Sequence, residues 1–381
     1  MPPMSFRVAL TGQYMPNQQM QAWAKVLTGF AVEVKPGQTV AITGGSTAEP
    51  LLRAIYREVV ERGGYPIMIP IFTGLGADLL NHGSDEQLNY LSPVERFIRE
   101  EADVTIQVIA DANTKALAGV DPARQAVFQR ARTGLIKTFM ERESTGNVEW
   151  TLTLYPTDAH AQDAEMSTSD YFDFVFRACK LHEPDPVAAW KELAADQQVL
   201  VDWLTDKQEL HLVGPGTDLR LSTTDRKWIN ADGHKNFPDG EVFTAPHEES
   251  ANGFITYSFP AVYAGREVTG VRLQFENGRV VNASAEKGED LLLQQLEIDD
   301  GARYLGEFSF GTNFDISRFT KQLLFDEKIG GTVHLALGET IPETGGSNTS
   351  AIHWDMVCDL RQGGRVEVDG QPFLVNGKFV V

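Results

Sequence analysis

The chain places an imidazole and a carboxylate two residues apart, His353 and Asp355, inside the apolar run Ala351-Ile-His-Trp-Asp-Met-Val357. If that run is a strand, its period of two puts both side chains on one face, where they offer nitrogen and oxygen to one zinc-class ion. Trp354, between them, then faces the other way into packing. His334 stands in a second apolar run, Thr-Val-His-Leu-Ala-Leu-Gly338. Three glutamates share such settings: Glu327 in Leu-Leu-Phe-Asp-Glu, Glu307 in Tyr-Leu-Gly-Glu-Phe-Ser-Phe, and Glu241 in Pro-Asp-Gly-Glu-Val-Phe-Thr. Each alone has an ordinary explanation, a hydrogen-bonded core histidine or a glutamate at a strand edge. As a set they ask for more, because ionisable groups buried singly each cost on the order of several kcal/mol. Divalent cations remove that cost by supplying the missing positive charge. Two imidazoles and four carboxylates suit two ions that share one bridging carboxylate.

Strands must hold these residues, and the second half of the chain supplies them. Apolar runs at 210–213, 254–259, 268–275 and 365–368 are separated by Gly, Asn and Asp turns. Asn277-Gly278 and Asp369-Gly370 between such runs are hairpin signals. One helix is expected over 287–298. The first half keeps a different rhythm: a strand at 38–43, a helix opened by a Ser46-to-Glu49 capping box, and a strand at 65–71. That helix would carry Leu51, Leu52, Ile55, Tyr56, Val59 and Val60 on its apolar side. Strand, helix and strand at this spacing make a parallel βαβ unit, repeated more loosely by a strand at 104–109, a helix at 121–132 and a strand at 151–154. Glu183-Pro-Asp-Pro186 breaks the rhythm before a helix over 187–204. The fold class is therefore α/β. An N-terminal α/β layer domain over 1–185 precedes a β-rich α+β domain over 186–381 that carries the metal site.

Gly44-Gly45-Ser46-Thr47 sits where a phosphate loop would, between strand and helix. It has neither the G-x-G-x-x-G spacing nor a Gly-Lys-Ser/Thr ending, so the glycines read as an ordinary strand-to-helix turn. The 381 residues carry 53 acidic and 33 basic side chains, a net charge of −20, which disfavours nucleic acid and anionic membrane surfaces as partners. No window is apolar for long enough to span a bilayer. The opening Met-Pro-Pro-Met segment has no apolar stretch leading to a cleavage site, so no secretory leader is expected. Two cysteines, Cys179 and Cys358, make neither a disulfide framework nor a cysteine zinc site, and a reducing cytoplasm is the expected compartment. Cys358 falls on the strand face away from Asp355 and reads as a small core residue. The remaining histidines, His82, His160, His182, His211, His234 and His247, show no ligand spacing.

A series of motifs in one order resembles the M29 family of metallo-aminopeptidases, the thermophilic aminopeptidase T group. They are Gly-Pro-Gly-Thr-Asp-Leu at 214–219, Glu-Val-Phe-Thr-Ala-Pro at 241–246, Ala-Glu-Lys-Gly-Glu at 285–289, Leu-Gly-Glu at 305–307 and Leu-Phe-Asp-Glu at 324–327. His-Leu-Ala-Leu-Gly at 334–338 and Gly-Gly-Ser-Asn-Thr-Ser-Ala-Ile-His-Trp-Asp at 345–355 complete it. The resemblance implies metal ligands at Glu241, Glu307, Glu327, His334, His353 and Asp355, with Glu307 bridging two ions of zinc, cobalt or manganese. It also implies a homodimer with its sites in an interior chamber, and a peptide substrate cut at its amino end. Glu307 or Glu241 would carry the proton to the leaving amine. One position departs from the family, whose tyrosine seven residues after the His334 equivalent steadies the tetrahedral intermediate. Here that position is Ile341, flanked by Glu339 and Glu343 in a loop. Either another donor replaces the phenol or the reaction is not ordinary peptide hydrolysis.

A second resemblance keeps the fold and changes the chemistry. Dihydroxypyridine dioxygenases hold one iron with two histidines and a carboxylate, and His334, His353 and Asp355 match that triad. The surplus carboxylates weigh against it. A purely structural metal is the third alternative, disfavoured by a cluster rich in carboxylates and free of cysteine.

Overall fold

A computed structural model describes residues 17–263 and 265–381; the amino-terminal segment read above for a leader lies outside them. The first half folds around a parallel sheet whose strands run, edge to edge, Tyr65–Ile71, Thr39–Gly45, Val104–Ile109, Glu149–Leu154 and Asn236–Phe237. Every neighbouring pair is parallel, as βαβ crossovers require. The last strand comes from the second half of the sequence, so the two halves share a sheet. The 187–204 expectation is met by a helix at Pro186–Leu204, with Asp185 capping it through Ala188 N–H at 3.0 Å.

Five local readings need correction. The Ser46–Glu49 capping box does not form: Ser46–Ala48 is a 3-10 turn, and the α-helix starts at Glu49 without a side-chain cap. Thr47 instead donates its hydroxyl to the Ala110 carbonyl at 2.6 Å, which draws the turn toward the neighbouring strand. On that helix Leu51, Leu52, Ile55 and Val59 are buried, but Tyr56 and Val60 are exposed, so the apolar stripe is narrower than the residue types suggested. The helix expected at 121–132 runs from Pro122 to Ser144. The run at 268–275 is broken into strands Arg266–Val268 and Arg272–Glu276, and the run at 254–259 is a strand only over Asn252–Thr256. The hairpin turns are as expected. Asn277-Gly278 and Asp369-Gly370 each have both residues at positive φ, the conformation a two-residue hairpin turn demands.

The second half is built mainly of two antiparallel sheets, with a two-stranded one formed by Ala261–Tyr263 and Arg266–Val268. One has eight strands. The other has five, in the order His353–Cys358, Val333–Gly338, Leu305–Gly311, Glu241–Thr244, Ile229–Ala231. One face of the five-stranded sheet supplies Val242, Phe308, Phe310, Leu335, Leu337, Trp354, Met356 and Cys358 to a core shared with the eight-stranded sheet. Trp354 and Cys358 are thus core residues, and both cysteines are free and buried. A second core fills the first half, yet Phe237, Ile316, Leu324, Phe325 and Ile329 belong to it.

Candidate metal centre

The register of the five-stranded sheet determines what its other face carries. Ser309 pairs with His334, Ala336 with Asp355, Gly338 with His353, and Gly311 with Glu241. Paired residues in an antiparallel ladder point to the same side. Glu241, His334, His353 and Asp355 therefore share the face opposite the core. Glu307 joins them through a bulge. Leu305 pairs with Leu337, but Glu307 pairs with Ala336 rather than with core-facing Leu335. The extra residue, Gly306, turns the glutamate from the core side to the polar side. A Cβ at Gly306 would lie 2.3 Å from the Glu339 carbonyl oxygen and 2.4 Å from that of Gly338, so only glycine fits the bulge.

Glu327 arrives from outside the sheet. It ends the short helix Leu323–Asp326, whose Phe325 packs edge-on against Tyr171 and Phe174 of the first-half core. The Glu327 carbonyl accepts the Nδ1 proton of His334 at 2.9 Å. In the same way the Glu339 carbonyl accepts the Nδ1 proton of His353 at 2.8 Å. A carbonyl can only accept, so both imidazoles carry their proton on Nδ1 and turn Nε2 inward, the arrangement that orients metal-ligating histidines.

Within the cluster, His334 Nε2 lies 3.2 Å from Glu241 Oε2 and 3.3 Å from Glu307 Oε1. His353 Nε2 lies 3.3 Å from Glu307 Oε2 and 3.4 Å from Asp355 Oδ2. The two oxygens of Glu307 thus face two different imidazoles. Three overlapping groups, Glu241–Glu307–His334, Glu307–His353–Asp355 and Glu327–His334–Asp355, each bring their ligand atoms within 4.8 Å of one another. All six residues named from the sequence converge here. Five are beyond the reach of bulk water or nearly so, while the His353 side chain is 32% exposed and marks the open side.

The electrostatics ask for cations. Burial alone would lower the His353 pKa, but Asp355 and Glu307 push it up to about 12. His334 is likewise driven up, by Glu241 and Glu307 against its burial. Burial raises Glu327 to about 7, with Lys328 opposing. Glu241 goes the other way, to about 2, because Lys328, His334 and the Ser309 hydroxyl outweigh its burial. Oδ1 of Asp355 is buried with no hydrogen-bond partner among the described residues. An orphaned carboxylate oxygen beside inward-turned imidazoles fits divalent ions of the zinc class.

Three further side chains were not singled out from the sequence. Ser309 donates to Glu241 Oε2 at 2.9 Å, and Lys328 and Asp239 lie buried beside the cluster. The only sequence signal for Lys328 is a basic residue directly after Asp326-Glu327, between Leu-Leu-Phe and Ile-Gly-Gly. Of the loop carboxylates, Glu343 is solvated and pairs with Lys235 at 3.2 Å, and Glu339 accepts the Ser350 N–H. Half-buried Ile341 precedes a 3-10 turn, Pro342–Thr344, and accepts the Thr344 hydroxyl at 2.6 Å. His160, His182, His211 and His234 each pair with acidic side chains away from the centre.

Residues 16–379 match the family model described as thermophilic metalloprotease (M29). The chain belongs to that family. Aminopeptidase AmpS of Bacillus subtilis (strain 168) is 27% identical, with 84% of each chain covered. The solved structure of wild-type AmpT from Thermus thermophilus superposes with a TM-score of 0.84 at 26% identity, covering 96% of this chain and 99% of that one. The structure of 2,5-dihydroxypyridine dioxygenase from Pseudomonas putida KT2440 has a TM-score of 0.60 at 14% identity over 97% and 99% of the two chains, which is a likeness of fold. With the family comes a metallo-aminopeptidase, as the motifs led us to expect. No helix among the described residues is long and apolar enough to cross a membrane.

Proposed function

We propose that the chain removes amino-terminal residues from peptides at a centre of two divalent ions, zinc, cobalt or manganese, held by Glu241, Glu307, Glu327, His334, His353 and Asp355. The observation that carries this reading is Glu307, whose two oxygens face His334 and His353 separately, as a bridging carboxylate must. Bound there, the ions supply Lewis-acid polarisation of the first peptide carbonyl and a water acidified toward neutrality. The protein's own groups do the rest. Backbone carbonyls of residues 327 and 339 fix the imidazoles. Ser309 steadies Glu241, and the core-packed helix before Glu327 holds that carboxylate over the sheet. Glu307 or Glu241 moves the proton from the attacking water to the leaving amine.

The half-exposed edge of His353 gives the substrate its approach, and the Ile341 loop borders it through Glu339. Without a phenol at residue 341, peptide turnover is lowered rather than abolished, since one oxyanion donor is one contribution among several. The proposal retains a division of the chain near residue 185, a homodimer and a cytoplasmic setting. Its test is chelation followed by reconstitution, with elemental analysis of the protein as purified. Two zinc, cobalt or manganese ions per chain and metal-restored cleavage of aminoacyl amides are expected, with no cleavage of amino-terminally acetylated peptides. One iron per chain and turnover only of dihydroxylated pyridines would overturn it.

A further inference from the structure

Lys328 is fully buried, and its ammonium is bonded to Glu327 Oε1, 3.4 Å from Glu241 Oε1 and 3.9 Å from Oδ1 of buried Asp239. A lysine is very rarely buried unless paired, and this one sits on one side of the cluster only. Glu241 is divided among three partners: Oε1 faces the ammonium, while Oε2 faces His334 and takes the Ser309 hydroxyl. On the other side, Glu307 and Asp355 meet imidazoles, and among the described residues no lysine or arginine forms an ion pair with either. The charges count out accordingly. Glu241, Glu307, Glu327 and Asp355 offer four carboxylates to two divalent ions, and Lys328 is a further positive charge set against two of them, Glu241 and Glu327.

Resting on the two-ion reading above, we infer that Lys328 makes the two ion positions unequal. The position built on His353, Asp355 and Glu307 has no lysine paired with its carboxylates among the described residues; it fills first and holds tightly. The position built on His334, Glu241 and Glu327 shares both of its glutamates with a resident cation. It fills second and exchanges readily. Lys328 touches no ligand nitrogen and does not face the His353 side; it is a positioning and charge-setting residue, not a catalytic one.

The test is calorimetric titration of metal-free protein with Zn²⁺, with bound zinc counted by elemental analysis. The parent should show two events whose dissociation constants differ by about tenfold or more. Lys328→Met, similar in length but uncharged, should keep the first event and tighten the second by about tenfold. His334→Ala should keep the tight event and lose the weak one. Equal constants in the parent, a Lys328→Met variant weakened alike at both positions, or loss of the tight event in His334→Ala would each overturn the inference. If Lys328→Met does not fold, the parent and His334→Ala titrations still decide it. Absence of any zinc binding by the parent would overturn the two-ion reading itself, a result distinct from two equal events.

Discussion

Glycines carry opposite burdens in the two halves of the molecule. In the parallel sheet, Gly44 and Gly45 end the Thr39–Gly45 strand beside the Val104–Ile109 strand. A Cβ on Gly45 would come within 2.5 Å of the Ala110 carbonyl oxygen, and one on Gly44 within 2.8 Å of Leu52. Thr47 is committed to that same carbonyl, and Glu49 at the helix start bonds Arg53 at 2.7 Å. The glycines there serve packing. In the five-stranded sheet, Gly306 permits a bulge that turns Glu307 out of the core and between two imidazoles. The glycine pair closes a layer; Gly306 aims a ligand. The halves also cooperate, since Phe325, packed on Tyr171 and Phe174, seats Glu327 from the first-half core.

The sharpest contrast comes from removing a ligand. His353→Ala or Asp355→Ala should lower turnover by about a hundredfold or more and leave less metal bound, while the first half stays folded. Elemental analysis with hydrogen exchange of the parallel sheet reads both effects; full occupancy and turnover in either variant would remove the pair from the centre. Next are the glycines. Gly45→Ala and Gly306→Ala should each cost about 1–3 kcal/mol by crowding a backbone carbonyl. Only Gly306→Ala should lose metal, because only there does relief of the clash displace a ligand. Equal metal loss from both would erase the distinction between packing and aiming.

Ile341→Tyr should raise kcat on aminoacyl amides about tenfold with little change in KM, because a phenol donor acts mainly in the transition state. A fall in kcat would show that the loop has been rebuilt around the smaller side chain. The smallest effect is one of pH. Glu248 is pushed up by burial, but the Ser347 N–H and hydroxyl, at 2.6 and 2.8 Å, and Arg226 hold it below its ordinary 4.5. A depressed folded-state value means its stabilisation is complete above 4.5 and is lost as pH falls through the lower, folded value. Proteolysis of the 339–351 loop should therefore rise on acidification below that point, and Glu248→Gln should show the faster cleavage already at neutral pH.

The sequence by itself determined the alternation of the first half, the helix after residue 185 and the hairpin turns at Asn277-Gly278 and Asp369-Gly370, and it singled out six ionisable residues in apolar runs that the structure brings together. These follow from local rules: side-chain period, turn chemistry, and the expense of isolated charge in apolar runs. Tertiary structure decided what local rules cannot reach. A period of two assigns Leu305 and Glu307 to the same face; only the pairing with the Val333–Gly338 strand, and its bulge, separates them. The capping box at Ser46 gave way to a 3-10 turn because a neighbouring strand offered Thr47 a carbonyl. Lys328 is buried because Asp239 and Glu241, from a distant segment, close around it beside its neighbour Glu327. In each case the deciding partner lies far along the chain, and its energy exists only once the chain has brought it near.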